Sequence, residues 1–394
     1  MQPVRFGIIG YGNMGSHHAR SMASGLVSGA QLAAICDTNP EQLQKARDAY
    51  PETPGFASHR QLLESGSCDA VLIATPHYDH PPIALDAFAA GLHVLSEKPV
   101  AVSVSAARRL NAEYESKYRE KLKFGIMFQQ RVYKVYMKLR ELIAAGELGE
   151  IRRFSWFVTD WFRTWSYYAS GGWRATWAGE GGGVLINQCP HNLDLIQWLT
   201  GGMMPHRITA VAYIAKTHPI EVEDEVNAIL EYPNGATGHF VTTTGEAPGT
   251  NRLEIAGDRG KLVAENGRLT FFRTRESVDG LNRTSPKLFL NVEAWECQIP
   301  VPNDPGKHHE QVTSAFCQWV REGTPPVAEG VDGVKGLELG NAMLMSGLTR
   351  QPIDLPVDGA AFDAFLEDLK QRYGGKKTLQ STGEVDRSMG FKGF

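Results

Sequence analysis

Short, continuous apolar runs alternate with amphipathic segments along the first third of the chain. The apolar runs predict strands at Val4–Ile9, Leu32–Cys36, Ala70–Ala74, His93–Ser96 and Lys123–Phe128. The amphipathic segments predict helices at Met14–Gly25, Pro40–Tyr50, Pro81–Ala90 and Ser103–Tyr118. Strands that are apolar throughout are covered on both faces, so this alternation predicts an α/β domain of the Rossmann type, with a doubly wound parallel sheet. We place this domain at residues 1–129.

The pattern changes near residue 150, where strands follow one another closely and are joined by turn signals such as Pro233-Asn234-Gly235. These strands are predicted at Arg207–Ile214, Glu223–Tyr232, Thr237–Thr244, Arg252–Ala256 and Leu269–Phe272. They predict a mostly antiparallel sheet in an α+β domain over residues 130–394. We expect one sheet face to be covered by helices at His191–Leu199, His308–Arg321 and Gly333–Leu348. The polar, Gly-rich tail over 374–394 is either a loose arm or a subunit clasp.

The composition argues against several classes of protein. With 40 Lys and Arg against 44 Asp and Glu, the net charge is −4, which leaves no basic field for a nucleic-acid backbone. No window is apolar over the roughly 18 to 20 residues of a membrane span, and no signal peptide is recognisable at the start. The five cysteines are scattered, so we expect free thiols in a cytoplasmic protein and no metal site.

A glycine-rich turn follows the first predicted strand and opens the first predicted helix. Its residues are Gly10, Tyr11, Gly12, Asn13, Met14 and Gly15. In this context a GxGxxG motif is typical of dinucleotide binding. Gly10 permits the tight turn, Gly12 lets the backbone approach the pyrophosphate, and Gly15 lets the helix pack on the strand. Because the amino end of the helix offers free N–H groups to the phosphates, we predict that these six residues bind the cofactor.

The end of the second predicted strand carries Asp37. A carboxylate at this place accepts hydrogen bonds from the adenosine ribose and disfavours the extra phosphate of NADP. No arginine lies between Asp37 and Gln44, so NAD is the predicted cofactor. The alternative is that Asp37 only caps the helix that begins at Pro40.

The turn Glu97-Lys98-Pro99 ends the fourth predicted strand, at the edge where open α/β sheets bind ligands. Pro99 fixes the turn and biases Lys98 toward an extended backbone. A lysine beside a bound nicotinamide can donate to a substrate hydroxyl oxygen or relay its proton. These residues alone leave open that Lys98 is an ordinary surface lysine.

A run of three glycines, Gly181–Gly183, leads through Asn187 to a predicted helix that begins at His191. Asn187 and His191 are four residues apart and share a face if the segment is helical. Histidine exchanges protons near neutral pH, so it is the natural group to take a hydroxyl proton as a hydride leaves the same carbon. Otherwise His191 only caps the helix. Asp194, one turn further, either orients the imidazole or is itself a cap.

An aromatic segment over residues 154–177 contains five of the eight tryptophans, interleaved with Arg163 and Arg174. Aromatic rings stack on the C–H faces of sugars, and polar groups at their edges supply hydrogen bonds. We expect two or three of these side chains to contact a substrate, with Trp161, Arg163 and Tyr168 favoured. The alternative is that the rings pack in the core.

Several of these motifs together resemble the Gfo/Idh/MocA oxidoreductases, a family named for glucose–fructose oxidoreductase and inositol dehydrogenase. The resemblance covers nearly the whole chain. It is carried, in order, by the glycine turn with His18-Ala19, Ala74-Thr75-Pro76, Glu97-Lys98-Pro99, Gly181-Gly182-Gly183, Asn187, His191 and Asp194. It implies that Lys98 lies in the active site and that His191 is the acid/base group.

The same resemblance implies further contacts and a departure. Cofactor contacts are expected at Thr75, Pro76, His77, Glu97, Lys98 and Arg174. The resemblance also implies that the second domain, over residues 130–394, has a large open sheet and serves substrate binding and oligomerisation. The free face of this sheet often packs between subunits in the family, so a homodimer or homotetramer is expected. Many relatives carry Asp where this chain has Asn187. Because an amide cannot accept a proton, the acid/base work falls on His191 and Lys98, and Asn187 is left to hold a substrate hydroxyl.

The predicted function is hydride transfer between NAD and a secondary alcohol of a sugar, sugar derivative or inositol. Lys98 and His191 are the predicted proton-relay groups. The predicted substrate contacts are Lys98, Trp161, Arg163, Tyr168, Asn187 and His191. Two alternatives stay open: an NAD-dependent glycosidase that oxidises its substrate transiently and eliminates the aglycone, or a non-catalytic sensor of sugar or NAD. The presence of both Lys98 and His191 favours catalysis.

Overall fold

A computed structural model gives the structure of the protein and describes residues 2–379, so most of the predicted tail lies outside the described residues. The strands are β1 (Val4–Ile9), β2 (Ala30–Cys36), β3 (Gly55–Phe56), β4 (Ala70–Ile73), β5 (His93–Ser96), β6 (Phe124–Ile126), β7 (Ile151–Val158), β8 (Arg207–Ile214), β9 (Glu223–Glu231), β10 (Thr237–Thr243), β11 (Asn251–Gly257), β12 (Gly260–Glu265), β13 (Arg268–Thr274), β14 (Ala294–Ile299) and β15 (Ile353–Asp354). The helices are α1 (Asn13–Ala23), α2 (Pro40–Ala49), α3 (His59–Glu64), α4 (His80–Ala89), α5 (Val104–Lys117), α6 (Lys134–Ala144), α7 (Trp165–Ala169), α8 (Pro190–Leu199), α9 (Val278–Thr284), α10 (His308–Glu322), α11 (Gly333–Thr349) and α12 (Gly359–Tyr373). None of the helices within residues 2–379 is long and apolar enough to cross a membrane.

The chain forms two compact units. The first comprises the residues up to Val132 together with Gly179–Gly181 and Lys307–Leu337. The second comprises Tyr133–Ala178, Gly182–Gly306 and residues 338–379. The predicted division after residue 129 therefore differs from the structural one, because two later segments of the chain group with the first unit.

The first unit contains a six-stranded parallel sheet with the strand order β3-β2-β1-β4-β5-β6. This confirms the predicted doubly wound fold. The order reverses between β1 and β4, and such sheets bind ligands outside the carboxyl ends of the strands at this switch point. The register pairs Ile9 with Ile73 and Ile73 with Ser96. The strands β1, β4 and β5 therefore end level, and the residues that follow them share one sheet edge.

Helix α10 packs in the first unit, so its predicted place on the second sheet was wrong. Its buried residues Val312, Phe316, Cys317 and Trp319 belong to the same core as Phe6 of β1. The ring centroids of Phe6 and Phe316 lie 6.0 Å apart. Hydrophobic periodicity reveals that a helix has an apolar face, but it does not reveal which sheet that face covers.

The second unit contains a nine-stranded sheet with the order β14-β13-β12-β11-β7-β10-β9-β8-β15. Among the described strands of this sheet, only β7 and β10 pair in parallel, which confirms the predicted, mostly antiparallel arrangement. The predicted packing of α11 on this sheet is also confirmed. Ser346 Oγ accepts the N–H of Ala210 at 2.9 Å, and a Cβ on Gly347 would lie 2.5 Å from the Cβ of Ala212.

Candidate active site

The glycine turn lies between β1 and α1, and its three glycines have different surroundings. Gly10 has a φ of +92°, and a Cβ there would lie 2.7 Å from the carbonyl oxygen of Ala74. A Cβ on Gly15 would lie 1.8 Å from the carbonyl oxygen of Gly10. A Cβ on Gly12, in contrast, would meet no atom of residues 2–379 within 4 Å. The turn is therefore tight at both ends and open in the middle, at the amino end of a helix, and it fits a dinucleotide pyrophosphate.

Asp37 follows β2 and contacts the glycine turn. Its Oδ2 accepts the backbone N–H of Tyr11 at 2.7 Å, and its Oδ1 accepts that of Asn39 at 2.7 Å. The cap of α2 is Asn39, whose Oδ1 accepts the N–H of Glu41 at 2.9 Å. Asp37 is thus not the helix cap, and its charge lies beside the predicted phosphate turn. Its contact with the ribose stays a prediction.

Residues Thr75–His77 follow β4 at the same sheet edge. The two ring nitrogens of His80 lie 2.9 Å from the carbonyl oxygen of Thr75 and 2.7 Å from that of Pro99. His80, which the sequence analysis did not single out, thereby connects the segment after β4 to the Glu97-Lys98-Pro99 turn. His77 is buried. The predicted cofactor contacts of Thr75–His77 stay predictions.

Lys98 lies next to a buried carboxylate. The Oε1 of Glu97 lies 2.8 Å from Nε2 of His18 on α1, and its Oε2 accepts the N–H of Lys98 at 3.3 Å. Burial alone would raise the pKa of Glu97, but the hydrogen bond and charge of His18 bring that pKa down to about 2. Lys98 itself is half-buried, and its peptide bond to Pro99 is cis. The carboxylate of Glu97 is therefore hydrogen-bonded to His18. The ligand contacts predicted for Glu97 and Lys98 stay predictions.

A π-helical turn, Val184–Gln188, lies between the glycine run and α8 in the second unit. Asn187 belongs to this turn and is half-buried. Helix α8 begins separately at Pro190, which leaves His191 buried in its first turn. The helical spacing that we expected to place Asn187 and His191 on one face therefore does not apply, because the two residues belong to different helical segments.

Neither His191 nor Asp194 caps α8. The cap position is Cys189, whose Sγ lies 3.1 Å from Oγ1 of Thr242. The carboxylate of Asp194 accepts a hydrogen bond of 2.9 Å from Nε2 of Gln197. The alternative that His191 or Asp194 serves only as a helix cap is therefore wrong.

The aromatic segment contributes to the core as well as to the surface of the second unit. Trp156 lies on β7 and is buried. Tyr168 is also buried, and its hydroxyl lies 2.7 Å from Oγ1 of Thr244, which favours packing over the predicted substrate contact. Trp161 is half-buried, and the guanidinium of Arg163 lies 5.2 Å from its ring. Contact of Trp161 and Arg163 with a substrate stays a prediction.

Tyr167, which the sequence analysis passed over, joins the aromatic segment to the π-helical turn. Its hydroxyl oxygen accepts hydrogen bonds from Nη1 of Arg174 at 2.7 Å and from Nε2 of Gln188 at 3.1 Å. The guanidinium of Arg174 also lies 4.5 Å from the Tyr167 ring. Because Gln188 follows Asn187 directly, Tyr167 connects two of the predicted ligand segments. Two adjacent tyrosines look alike in sequence, so only the fold distinguishes Tyr167 from Tyr168.

Comparison with known families places these features in one group of proteins. Residues 4–121 match the oxidoreductase family with an NAD-binding Rossmann fold, and residues 136–263 match the GFO/IDH/MocA C-terminal domain. The chain belongs to the Gfo/Idh/MocA family of oxidoreductases. The glycine turn and Lys98 fall within the first match, and His191 falls within the second. NAD is the cofactor of this family's Rossmann domain, as the sequence predicted.

Individual relatives of this Gfo/Idh/MocA protein differ in how much of the chain they match. The rhizopine catabolism protein MocA of Rhizobium meliloti is 33% identical over 202 residues, which are 51% of this chain and only 58% of that protein. Myo-inositol 2-dehydrogenase of Thermotoga maritima is 23% identical over 344 residues, 86% of this chain and 95% of the relative. The WlbA dehydrogenase of Bordetella pertussis, solved in complex with NADH and UDP-GlcNAcA, has a TM-score of 0.74 and 27% identity. That similarity covers 91% of this chain and 100% of the other.

Proposed function

We propose that this protein is an NAD-dependent dehydrogenase acting on a secondary alcohol of a sugar, sugar derivative or inositol. The observation that carries the proposal is the level ending of β1, β4 and β5. It aligns the glycine turn, Thr75 and the Glu97-Lys98-Pro99 turn along one sheet edge. Neighbouring strands are about 4.8 Å apart, so β5 lies about 10 Å from β1. This spacing suits a lysine that reaches a substrate held against the nicotinamide.

The cofactor contacts in this proposal come from the first unit. The N–H groups at the start of α1 hold the pyrophosphate, which the open backbone at Gly12 allows to approach. The Asp37 carboxylate accepts hydrogen bonds from the adenosine ribose. Thr75–His77 and Glu97 line the same edge, and Arg174 is the further contact proposed from the second unit.

Proton transfer is assigned to Lys98 and His191. NAD supplies the hydride acceptor when it is bound. His191 takes the proton of the substrate hydroxyl, because an imidazole exchanges protons near neutral pH. Lys98 donates to the same oxygen and stabilises the negative charge that develops as the proton leaves. Asn187 carries an amide, so it holds a neighbouring hydroxyl without accepting its proton.

The substrate class rests on the relatives and on the aromatic segment. The relative from Thermotoga is named for myo-inositol, and the structure from Bordetella contains a nucleotide sugar. Both compounds carry ring hydroxyls beside C–H groups. The half-buried ring of Trp161, with Arg163 beside it, offers a surface for such C–H groups and a donor for the hydroxyls.

The test incubates the purified protein with NAD or NADP and panels of inositols, free sugars, nucleotide sugars and glycosides, and follows NADH by its absorbance. We expect stoichiometric NADH from at least one free polyol or sugar. His191→Ala should lower turnover by about 10²-fold or more while leaving NAD binding nearly intact. His206→Ala, which changes an exposed histidine just before β8, is the matched control and should keep wild-type turnover.

The other outcomes separate the alternatives. Cleavage of a glycoside without net NADH would make the protein an NAD-dependent glycosidase. Binding of NAD and sugar without any turnover would make it a sensor. If His191→Ala kept half of the wild-type turnover, His191 would have no part in proton transfer.

We also propose that the protein is a homodimer or homotetramer, assembled through one face of the nine-stranded sheet. Four exposed apolar side chains lie on the same face according to the strand register: Phe157, Val211, Tyr213 and Ile229. Exposed apolar surface of this kind marks an interaction site. Light scattering should give a multiple of the monomer mass, and Ile229→Lys should lower it. A monomeric wild type would refute this assembly.

A further inference from the structure

Two adjacent carboxylates are buried at the start of β9. Glu223 and Asp224 both have 0% of their surface exposed. Successive residues of a strand point to opposite sides of the sheet, so the two side chains reach different segments of the second unit. A buried carboxylate is unfavourable unless hydrogen-bond donors surround it. The donors around each carboxylate therefore show which segment it holds.

Glu223 holds the turn that precedes α8. Its Oε2 accepts the N–H of Gly183 at 2.9 Å, and its Oε1 accepts the N–H of Leu185 at 3.1 Å. The backbones also approach closely, since a Cβ on Gly183 would lie 1.9 Å from the carbonyl oxygen of Glu223. Leu185 belongs to the π-helical turn that contains Asn187 and leads to His191. One carboxylate thus fixes the start of the turn that carries Asn187 and leads to α8, where His191 lies in the first turn.

Asp224 holds a different turn, formed by residues 216–218. Its Oδ1 accepts the N–H of Lys216 at 2.9 Å, and its Oδ2 accepts those of Thr217 at 2.8 Å and His218 at 3.1 Å. Burial alone would raise the pKa of Asp224, but the hydrogen bonds from the His218 ring and from these N–H groups lower it. The group is therefore a charged acceptor at neutral pH, and its hydrogen bonds are of the stronger, charge-assisted kind.

His218 extends this network to the aromatic segment. Its Nδ1 lies 3.0 Å from Oδ2 of Asp224, and its Nε2 lies 2.9 Å from the carbonyl oxygen of Arg163. Its ring packs edge-on against Tyr168, with the centroids 4.8 Å apart. The N–H of Arg163 also donates to the carbonyl oxygen of Thr244 at 3.0 Å. The backbone of Arg163 is thus held from two sides, one of them leading back to Asp224.

We propose that Glu223 and Asp224 are positioning residues for two separate parts of the substrate site. Glu223 sets the turn that leads to His191, and Asp224, through His218, sets the backbone of Arg163. Neither contacts the substrate. The inference rests on the proposed function, which gives these two segments their chemistry. Because a displacement of about 1 Å at a reacting group costs about 10²-fold in rate, loss of Glu223 should act on turnover. Loss of Asp224 should act on substrate binding.

Glu223→Gln and Asp224→Asn test the two assignments. Each change keeps the size of the side chain and removes its charge. It also replaces one acceptor oxygen with an NH₂ group, which cannot accept a hydrogen bond. Glu231→Gln is the matched control, because Glu231 is a half-buried glutamate at the far end of the same strand. All three variants are made in the full chain.

Amide hydrogen exchange, followed by mass spectrometry on peptides covering 181–190 and 214–220, tests the hydrogen bonds directly. Glu223→Gln should speed exchange in the first peptide by about tenfold or more and leave the second unchanged. Asp224→Asn should do the reverse, and Glu231→Gln should change neither. A general loss of stability would speed exchange in both peptides in either variant. That result would overturn the separate positioning roles.

Kinetics on the sugar or polyol that the wild type oxidises tests the consequence for function. Glu223→Gln should lower kcat by about 10- to 100-fold, a larger factor than any rise in KM for the substrate, which can rise to some extent because the same turn carries Asn187. Asp224→Asn should raise that KM by about tenfold with kcat within about threefold. The pH profile of kcat/KM should shift in Glu223→Gln and stay in place in Asp224→Asn. A variant that is merely less folded would have less active enzyme but an unshifted profile. NADH affinity should stay within about twofold throughout.

The two hypotheses can fail separately. If no sugar or polyol is oxidised by the wild type, the proposed function fails, and the exchange pattern alone decides whether each carboxylate holds its own segment. If the wild type is active but both variants keep wild-type kcat and KM, the proposed function stands and the positioning roles are refuted.

Discussion

The Asp37 carboxylate accepts the backbone N–H of Tyr11 at 2.7 Å, so the acidic residue at the end of β2 and the middle of the glycine turn are held together. The other carboxylate oxygen accepts the N–H of Asn39. The negative charge is therefore fixed beside the glycine turn, where the proposed function places the adenosine ribose of the cofactor. The extra phosphate of NADP would have to approach the same charge.

Asp37→Asn should narrow the preference for NAD over NADP. The amide keeps one acceptor oxygen for the N–H of Tyr11 but loses the charge that repels a phosphate. We expect the wild type to bind NAD at least about tenfold more tightly than NADP, and the variant to lose most of this difference. Fluorescence titration with both reduced cofactors measures it. Asp48→Asn on α2 should leave the ratio unchanged, and a wild type with equal affinities would contradict the assignment.

Alanine at Gly12 and at Gly15 should have different effects. At Gly12 the new methyl group meets open space in the described structure, so the melting temperature should stay the same while the methyl obstructs the pyrophosphate. NAD affinity should then fall by about tenfold or more. At Gly15 the methyl would lie 1.8 Å from the carbonyl oxygen of Gly10, so both affinity and melting temperature should fall. Thermal unfolding and NADH titration separate the two cases. A Gly12→Ala protein with wild-type affinity would refute close approach of the cofactor there.

Lys98→Met should reduce turnover much more than it raises the Michaelis constant of the substrate. The methionine keeps most of the length of the side chain but cannot stabilise the developing charge on the substrate oxygen. We expect kcat at saturating NAD to fall by about 10²-fold. A lysine that only anchors cofactor phosphate would instead weaken NAD binding and spare kcat. Lys121→Met, at an exposed lysine of the first unit, should behave like the wild type.

Three histidine rings lie close together in the first unit, and one of them, His309, is expected to make the stability of this unit depend on pH. The rings of His17, His18 and His309 have centroids 5.4 to 5.7 Å apart. Burial lowers the pKa of His309 to about 4, against an opposing effect of the Glu97 charge. An unfolded histidine titrates near 6.5. Between these two pH values the unfolded chain binds more protons than the folded one. The free energy of unfolding therefore rises with pH over this range, and the contribution of His309 no longer changes above about pH 6.5.

His309→Gln should flatten this dependence. The glutamine cannot take up a proton in the unfolded chain, so the free energy of unfolding of the first unit should change less between about pH 4 and 6.5 than in the wild type. The pKa of Glu97, at about 2, adds a loss of stability only below about pH 4.3. Urea unfolding at a series of pH values gives the slopes, with His206→Gln, at an exposed histidine, as the control. An unchanged slope in His309→Gln would contradict the assignment.

The parallel sheet was predictable because its strands are apolar on both faces, a pattern that few other structures share. The second sheet was less visible. Its central strand β7 was not predicted as a strand, because Trp156 and its neighbours stood out only as part of the aromatic segment, for which ligand contact and core packing were both open. Trp156 is buried in the core. The pairing of β7 with β10 joins residues far apart in the chain. Local pattern holds no information about such pairings.

The motif residues of the site were visible in sequence because their chemistry is tied to short spacings, as in Gly10–Gly15 and Glu97-Lys98-Pro99. The residues that hold them were not visible. His80 connects two carbonyl oxygens that are 24 residues apart in the chain, and Tyr167 connects Arg174 to Gln188. Such supporting contacts arise only once the elements have packed.

The placement of α10 has a consequence for how the chain is made on the ribosome. The parallel sheet is complete once β6 emerges, but the helix that covers Phe6 is synthesised only after the whole of residues 133–306. At about 5 to 20 residues per second this interval lasts roughly 10 to 35 s. During this interval the nascent sheet carries an uncovered apolar surface. A chaperone can bind this surface, and a neighbouring nascent chain can aggregate with it. A fragment that ends at Val132 would keep this surface permanently and should aggregate when expressed alone.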